Sequence, residues 1–176
     1  MKKFELTSEF VTNIFGTKLF RIRALIEFGG VKAGDVGGYV EKEENLDQDS
    51  DAWVSGNARV SGNARVYGDA EVYGNAEVSG DAWVSGDALV TGDARVYGNA
   101  LVTGNADYAT VKGFGRCNRN TTFFRCKDGK VRVVCGCFFG DMEEFRAIVK
   151  RTHGGGKLAK EYLAIADLME MHFCEE

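Results

Sequence analysis

A mainly β chain is predicted, in which a coil of short strands lies between an N-terminal β cap and a C-terminal α+β head. Three observations predict it. Residues 51–110 repeat every six positions, Asp128-Gly129 joins two strand-like runs, and two apolar stripes at helical spacing follow position 141. The predicted boundaries are a cap over 1–40, coils over 41–110 and a head over 111–176.

The repeat outranks every other signal. Ala occupies each sixth position from Ala52 to Ala106, and Val each sixth position from Val54 to Val102. Gly recurs from Gly56 to Gly104, always followed by Asp or Asn. One large and one small inward side chain per hexad, with a Gly-Asn or Gly-Asp turn between, build a triangular coil of three hexads per turn. The turn residues tolerate left-handed backbone angles, which the corners require. Val40 and Leu46 extend the count backwards and fall in the Ala slot.

The hexad Val60-Ser61-Gly62-Asn63-Ala64-Arg65 resembles the hexapeptide-repeat family, whose fold is the left-handed parallel β-helix. In that family an aliphatic residue starts the hexad and a small one fills its fifth place, as here. The family glycine is often second, whereas here it is third. The resemblance implies a trimer and raises the prospect of acyl transfer, usually carried by a histidine that projects from the coils. This chain has only His153 and His172, both outside the coils. The expectation is therefore a non-enzymatic coil, with an acyltransferase that uses a non-histidine site between coils as an alternative. Fold alone does not assign function.

Outward positions 18 apart stack about 4.8 Å from one another on neighbouring coils. One column reads Arg59, Glu77, Arg95, a ladder of alternating charge that stabilises itself. The others read Arg65, Trp83, Leu101 and Trp53, Glu71, Leu89. Their Trp and Leu residues are expected to form a buried contact, either between subunits or with the terminal domains, with single apolar residues on the surface as the alternative. Asp51, Asp69 and Asp87 stack at one turn, where caps for their own backbone are expected in place of a metal.

Before the coils, residues 18–28 (KLFRIRALIEF) alternate as a strand does, and a β-helix needs its open core end covered. The glycine-rich stretch 29–40 reads as a connector into the first coil; its glycines lack the strand–loop–helix setting of a phosphate loop.

After the coils, Asp128-Gly129 predicts a two-residue hairpin turn. In that register Lys127 faces Lys130, Arg125 faces Arg132 and Phe124 faces Val133. One face would carry Phe124, Cys126, Val131 and Val133, and the other two opposed pairs of cations. Like charges opposite one another destabilise a hairpin, and a bound anion would relieve them. Arg116 and Arg119 lie just upstream. Asp141 with Glu144 three residues on forms a capping box, which opens a helix striped by Met142, Phe145, Ile148 and Val149. Residues 151–156 (RTHGGG) break it, and Leu158, Tyr162, Ile165, Met169 and Phe173 stripe a second helix. His153 and Lys157 flank the break, where backbone N–H groups at a helix start suit a phosphate. A plain linker suits the same residues.

The expected ligand-binding set is thus Arg116, Arg119, Arg125, Lys127, Lys130, Arg132, His153 and Lys157. Charge partition agrees with it. Residues 111–151 hold ten basic against four acidic residues, whereas the coils, 41–110, hold four against thirteen, within a net charge of −4. Five cysteines, all in the last third, show no Cys-x-x-Cys spacing, so no metal is expected. A nucleophilic pairing of Cys117 or Cys126 with His153 stays open. No cofactor is expected. No signal peptide or membrane span is read, which leads to an expectation of a cytoplasmic protein.

The layout, "GDVGGYVEKEENL" (34–46) before the repeats and "TTFFRCKDGKVRVVCGCFFGDMEEF" (121–145) after them, resembles small accessory proteins of bacteriophages and prophages. Such proteins often counter host defence. The resulting expectation is a non-catalytic, homotrimeric binding module that takes an anionic, nucleotide-type ligand on its basic head. The alternative is an inhibitor that binds a host defence protein.

Overall fold

The computed structural model describes residues 1–174. It divides into two compact units, Met1–Asn105 and a second from Ala106 onward.

The first unit is a β-solenoid of about four turns with its cap built in. Three strands open it: β1 (Phe4–Thr12), β2 (Lys18–Ala24) and β3 (Val36–Val40). Nine two-residue strands follow, one per hexad: β4 (Trp53–Val54), β5 (Arg59–Val60), β6 (Arg65–Val66), β7 (Glu71–Val72), β8 (Glu77–Val78), β9 (Trp83–Val84), β10 (Leu89–Val90), β11 (Arg95–Val96) and β12 (Leu101–Val102). They stack in parallel as three columns, β5-β8-β11, β4-β7-β10 and β6-β9-β12. Every partner is 18 residues away, as Arg59–Glu77–Arg95 shows.

The inward slots behave as the repeat dictates. Each Val from Val54 to Val102 and each Ala from Ala52 to Ala100 is fully buried. A buried Val is worth about 1.5–3 kcal/mol, so the core is a sum of many equal layers. The corners need glycine. Gly56 through Gly98 have φ between 63° and 75°. A Cβ on Gly74 would also lie 3.0 Å from the Gly92 backbone of the next coil. Beside them the turn asparagines form ladders: Asn57 donates to Asn75 (3.4 Å), Asn75 to Asp93 (3.2 Å) and Asn63 to Asp81 (3.0 Å).

Two expectations change. The cap is not a separate domain, because β1-β2-β3 runs directly into the β5-β8-β11 column as one six-stranded sheet. Val40 and Leu46 are not in the Ala slot. They pair with Val60 and Val66, twenty residues on, so the first coil is two residues longer than the others. Trp53 makes the contact with a terminal segment that is one of the expectations for the outward Trp and Leu residues: it is 7% accessible, beneath Phe4 and Phe28, whose ring centroids lie 6.5 and 5.4 Å from its own. The connector glycines serve this closure. A Cβ on Gly37 would overlap Ile22, Trp53 and the Val54 carbonyl.

One residue of the cap was illegible in the sequence. Lys3 is buried, and its Nζ donates to the carbonyls of Ser50 (2.7 Å) and Ala52 (2.8 Å) beside the Phe28 ring. Burial pushes its pKa down from 10.5 to about 8, against the opposing pull of Asp47, Asp51 and Asp49. Because the folded value lies below the unfolded one, the unfolded chain holds more protons between pH 8 and 10.5. Stability contributed at Lys3 is therefore lowest below pH 8 and rises through that window, by roughly 2–3 kcal/mol at most. The stability difference between the parent and Lys3→Met, measured by urea titration from pH 7 to 10.5, should shift in the parent's favour as pH rises. A flat difference would refute the assignment.

The second unit is a four-stranded antiparallel meander, β13 (Tyr108–Phe114), β14 (Arg119–Arg125), β15 (Val131–Cys135) and β16 (Phe138–Asp141), followed by α1 (Met142–His153) and α2 (Lys157–Phe173). The capping box forms as read: the Glu144 N–H donates to Asp141 (2.9 Å) and the Asp141 N–H to Glu144 (2.8 Å). Both helix stripes meet the sheet in one core that contains Phe123, Val133, Phe145, Val149, Tyr162 and Phe173. Arg146 clamps the helices from outside through Asp167 and Glu170, both at 2.7 Å.

Candidate functional site

The hairpin that motivated the anion site folds in another register. Asp128-Gly129 is a turn, but a three-residue one. The Gly129 N–H donates to the Cys126 carbonyl and the Cys126 N–H to the Lys130 carbonyl, each at 2.9 Å, with Gly129 at φ 75°. This is a type I turn closed by a glycine bulge, which Asp-Gly serves as well as the two-residue form. The extra residue moves every pair by one. Arg125 now faces Val131, Phe124 faces Arg132 and Phe123 faces Val133. The two opposed cationic pairs do not exist, and the expected apolar face is split. Phe123 and Val133 enter the helix-covered core, while Phe124 and Cys126 are buried on the other face.

The arginines of this hairpin have protein partners. Arg125 lies 3.3 Å from Asp107, donates to the Phe173 carbonyl at 3.0 Å and covers the Phe173 ring. Arg132 donates to Asp128 at 2.8 Å. Asp128 also accepts from the Lys130 N–H, and these contacts hold its carboxyl below the usual range. No repulsion between cations at Arg125 and Arg132 therefore calls for an anion there. Arg125→Glu should destabilise the second unit by about 2 kcal/mol, since it removes a charge-assisted bond and sets a carboxylate against Asp107. Urea unfolding checks this; an unchanged midpoint would show the contacts to be incidental.

The structure brings together another part of the expected set. Arg116, Arg119 and His153 line one cavity of about 320 Å³. Its floor is Phe138, Phe145, Ile148 and Val149, and Cys117, Cys135, Cys137, Thr152 and Tyr162 complete its lining. Arg125, Lys127, Lys130, Arg132 and Lys157 are not among its walls. Lys127 and Lys130 are exposed at the hairpin turn, and Lys157, 87% accessible, sits 3.5 Å from Glu161.

Each wall has a local cause. Arg119 begins β14, and its guanidinium crosses Gly136, where any Cβ would overlap it. Gly136 turns β15 into β16 at φ 63°. A hydrogen bond to Cys117 further favours the charged form of Arg119. His153 ends α1, and its ring stacks on Tyr162 at 5.9 Å and 21°. The Tyr162 phenol is pushed up to about 12 by burial and by Cys135, so it is a neutral donor at physiological pH. Gly115 leaves room for that hydroxyl.

The five cysteines are free. Cys117 shares the cavity with His153, whereas Cys126 is outside it, with burial pushing its thiol up to about 11. Cys135 accepts from the Thr121 hydroxyl at 3.2 Å. Among the described residues no three His, Cys, Asp or Glu side chains are placed to hold a metal. None of the described helices is long and apolar enough to cross a membrane. Sequence reasoning missed Tyr162, Cys135 and Cys137 as cavity walls. Tyr162 read only as part of a helix stripe, and no signal marked its hydroxyl.

The first unit defines a β-solenoid repeat protein. The family model of the YdcK beta solenoid repeat matches residues 52–68, 58–71 and 94–106, all inside the coils. No curated protein matches the chain.

Proposed function

We propose that the second unit is a non-catalytic binding module for an anionic small molecule of the nucleotide type, seated in the cavity of Arg116, Arg119 and His153. The observation that carries this reading is the convergence of two guanidinium groups and an imidazole over an apolar, aromatic floor. Arginine forks match phosphate oxygens in geometry, and the Tyr162 hydroxyl adds a neutral donor. Phe138, half-buried in the cavity lining, supplies apolar surface of the kind a base contacts. Sequestration of a signalling nucleotide, as a phage-encoded counter-defence protein would perform it, needs this binding and no chemistry. A trimer, as the hexapeptide-repeat resemblance implies, would carry three such sites; light scattering at micromolar concentration should find three protomers.

Calorimetric titration with ATP, a cyclic dinucleotide and inorganic phosphate tests the proposal. At least one nucleotide should bind, more weakly as salt rises, and Arg119→Ala should weaken it by tenfold or more. Gly136→Ala should act in the same direction, because its methyl group displaces the Arg119 guanidinium. No binding by any probe, or binding untouched by Arg119→Ala, would overturn the reading.

A further inference from the structure

The first unit has a cavity of its own, about 550 Å³, that the anion reading does not use. It opens where the 3₁₀ turn Glu43–Asn45 and the residues after it cross above the β6-β9 column. One wall is aromatic. Trp83, 39% accessible, packs against Tyr67 in a T-shaped pair at 6.3 Å and 81°. The opposite wall is acidic, with Glu43, Glu44 and Asp47. Glu43 is committed to Lys2 at 2.7 Å. Glu44 and Asp47 make no side-chain hydrogen bond or ion pair among the described residues. The one cation in the lining is Arg65, whose guanidinium likewise has no ion pair among the described residues.

We infer that this cleft binds an organic cation, an ammonium or guanidinium group on a compact apolar body. An aromatic face attracts a cation through its quadrupole, and tryptophan does so best. Carboxylates across the gap add Coulombic attraction that a neutral ligand of the same shape does not receive. The volume suits a small ligand, and the net charge of the lining is negative, three carboxylates against one guanidinium. The surrounding coils reinforce this field, with thirteen acidic residues against four basic between 41 and 110. An anion would meet the opposite potential. The cleft and the basic cavity of the second unit therefore select ligands of opposite sign.

The same cationic group reaches the cleft either on a free small molecule or as a side chain of a basic peptide. Both sources can be tested on the full chain by following the two tryptophan indole N–H signals in a nitrogen-15 NMR spectrum. Trp83→Phe identifies which signal is Trp83, since Trp53 is buried. Choline, argininamide and hexa-arginine are titrated, with 3,3-dimethylbutanol as the neutral counterpart of choline. A saturable shift of the Trp83 signal with choline or argininamide supports a small cation. A shift with hexa-arginine alone supports the cleft with a peptide as its source. Glu44→Gln combined with Asp47→Asn should weaken binding about three- to tenfold, whereas Arg65→Gln should tighten it. Equal shifts with 3,3-dimethylbutanol, no shift with any cation, or weaker binding in Arg65→Gln would overturn the inference.

Discussion

Val78→Asp should abolish folding of the solenoid. Val78 is fully buried in β8, between Val60 and Val96 of the coils on either side. Each coil meets only its neighbours, so no distant contact replaces a lost layer. A carboxylate in that slot has no partner among inward Val and Ala side chains. Either its charge is buried or its pKa rises until it is neutral, and each route costs more than about 4 kcal/mol. That is most of the stability of a domain at the low end of the usual range of about 5–15 kcal/mol. Val78→Ala, by contrast, only leaves a small cavity and should cost about 2–3 kcal/mol. Urea unfolding followed by far-ultraviolet circular dichroism separates the two. A Val78→Asp protein with a midpoint near that of the parent would contradict the layered core.

Phe145→Ala should be nearly as damaging to the second unit. The ring of Phe145 lies at the centre of its core, with the rings of Phe123, Phe138 and Tyr162 at centroid distances of 5.9, 5.7 and 5.9 Å. Truncation to alanine removes three aromatic contacts and opens a void beneath α1 and α2. The cost for a buried Phe is about 3–5 kcal/mol. Hydrogen exchange should show α1 and α2 amides losing most of their protection. The same ring floors the basic cavity, so ligand binding should fall with it; Phe145→Leu should restore much of both. If Phe145→Ala keeps its helix protection, the core is organised around another residue.

The two cavities give the charge asymmetry of the sequence a structural form. The acidic coils border a cleft with carboxylates opposite Trp83, and the basic segment after them supplies Arg116 and Arg119. The ladder Arg59–Glu77–Arg95 shows how other coil charges are consumed instead. Glu77 lies 3.9 and 3.7 Å from the two arginines and accepts from the Tyr97 hydroxyl at 2.8 Å. Burial and Glu77 together raise the Tyr97 pKa, so that phenol stays a donor. A charge that faces its like or its opposite every 18 residues is settled within the column; a charge on an irregular segment such as Glu44 is not.

By itself the sequence determined what is periodic or local. Nine hexads with Val, Ala and Gly in fixed slots allow one packing, because each residue type meets the same neighbours in every coil. The capping box at Asp141 and the stripes of α1 and α2 are equally local, set by spacings of three and four residues. What is not periodic was decided by tertiary structure. The Asp128-Gly129 turn accepts two hairpin registers, and the choice follows from which face the helices cover: Phe123, not Phe124, must meet Phe145. That shift by one residue took Arg125 and Arg132 out of an imagined cationic face and gave them Asp107 and Asp128. Trp53 was buried by a cap far away in the chain and Lys3 of that cap by the first coil, and the candidate site was assembled from a strand start, a hairpin glycine, the end of α1 and Tyr162 of α2. Contacts between residues so distant in sequence leave no spacing to read.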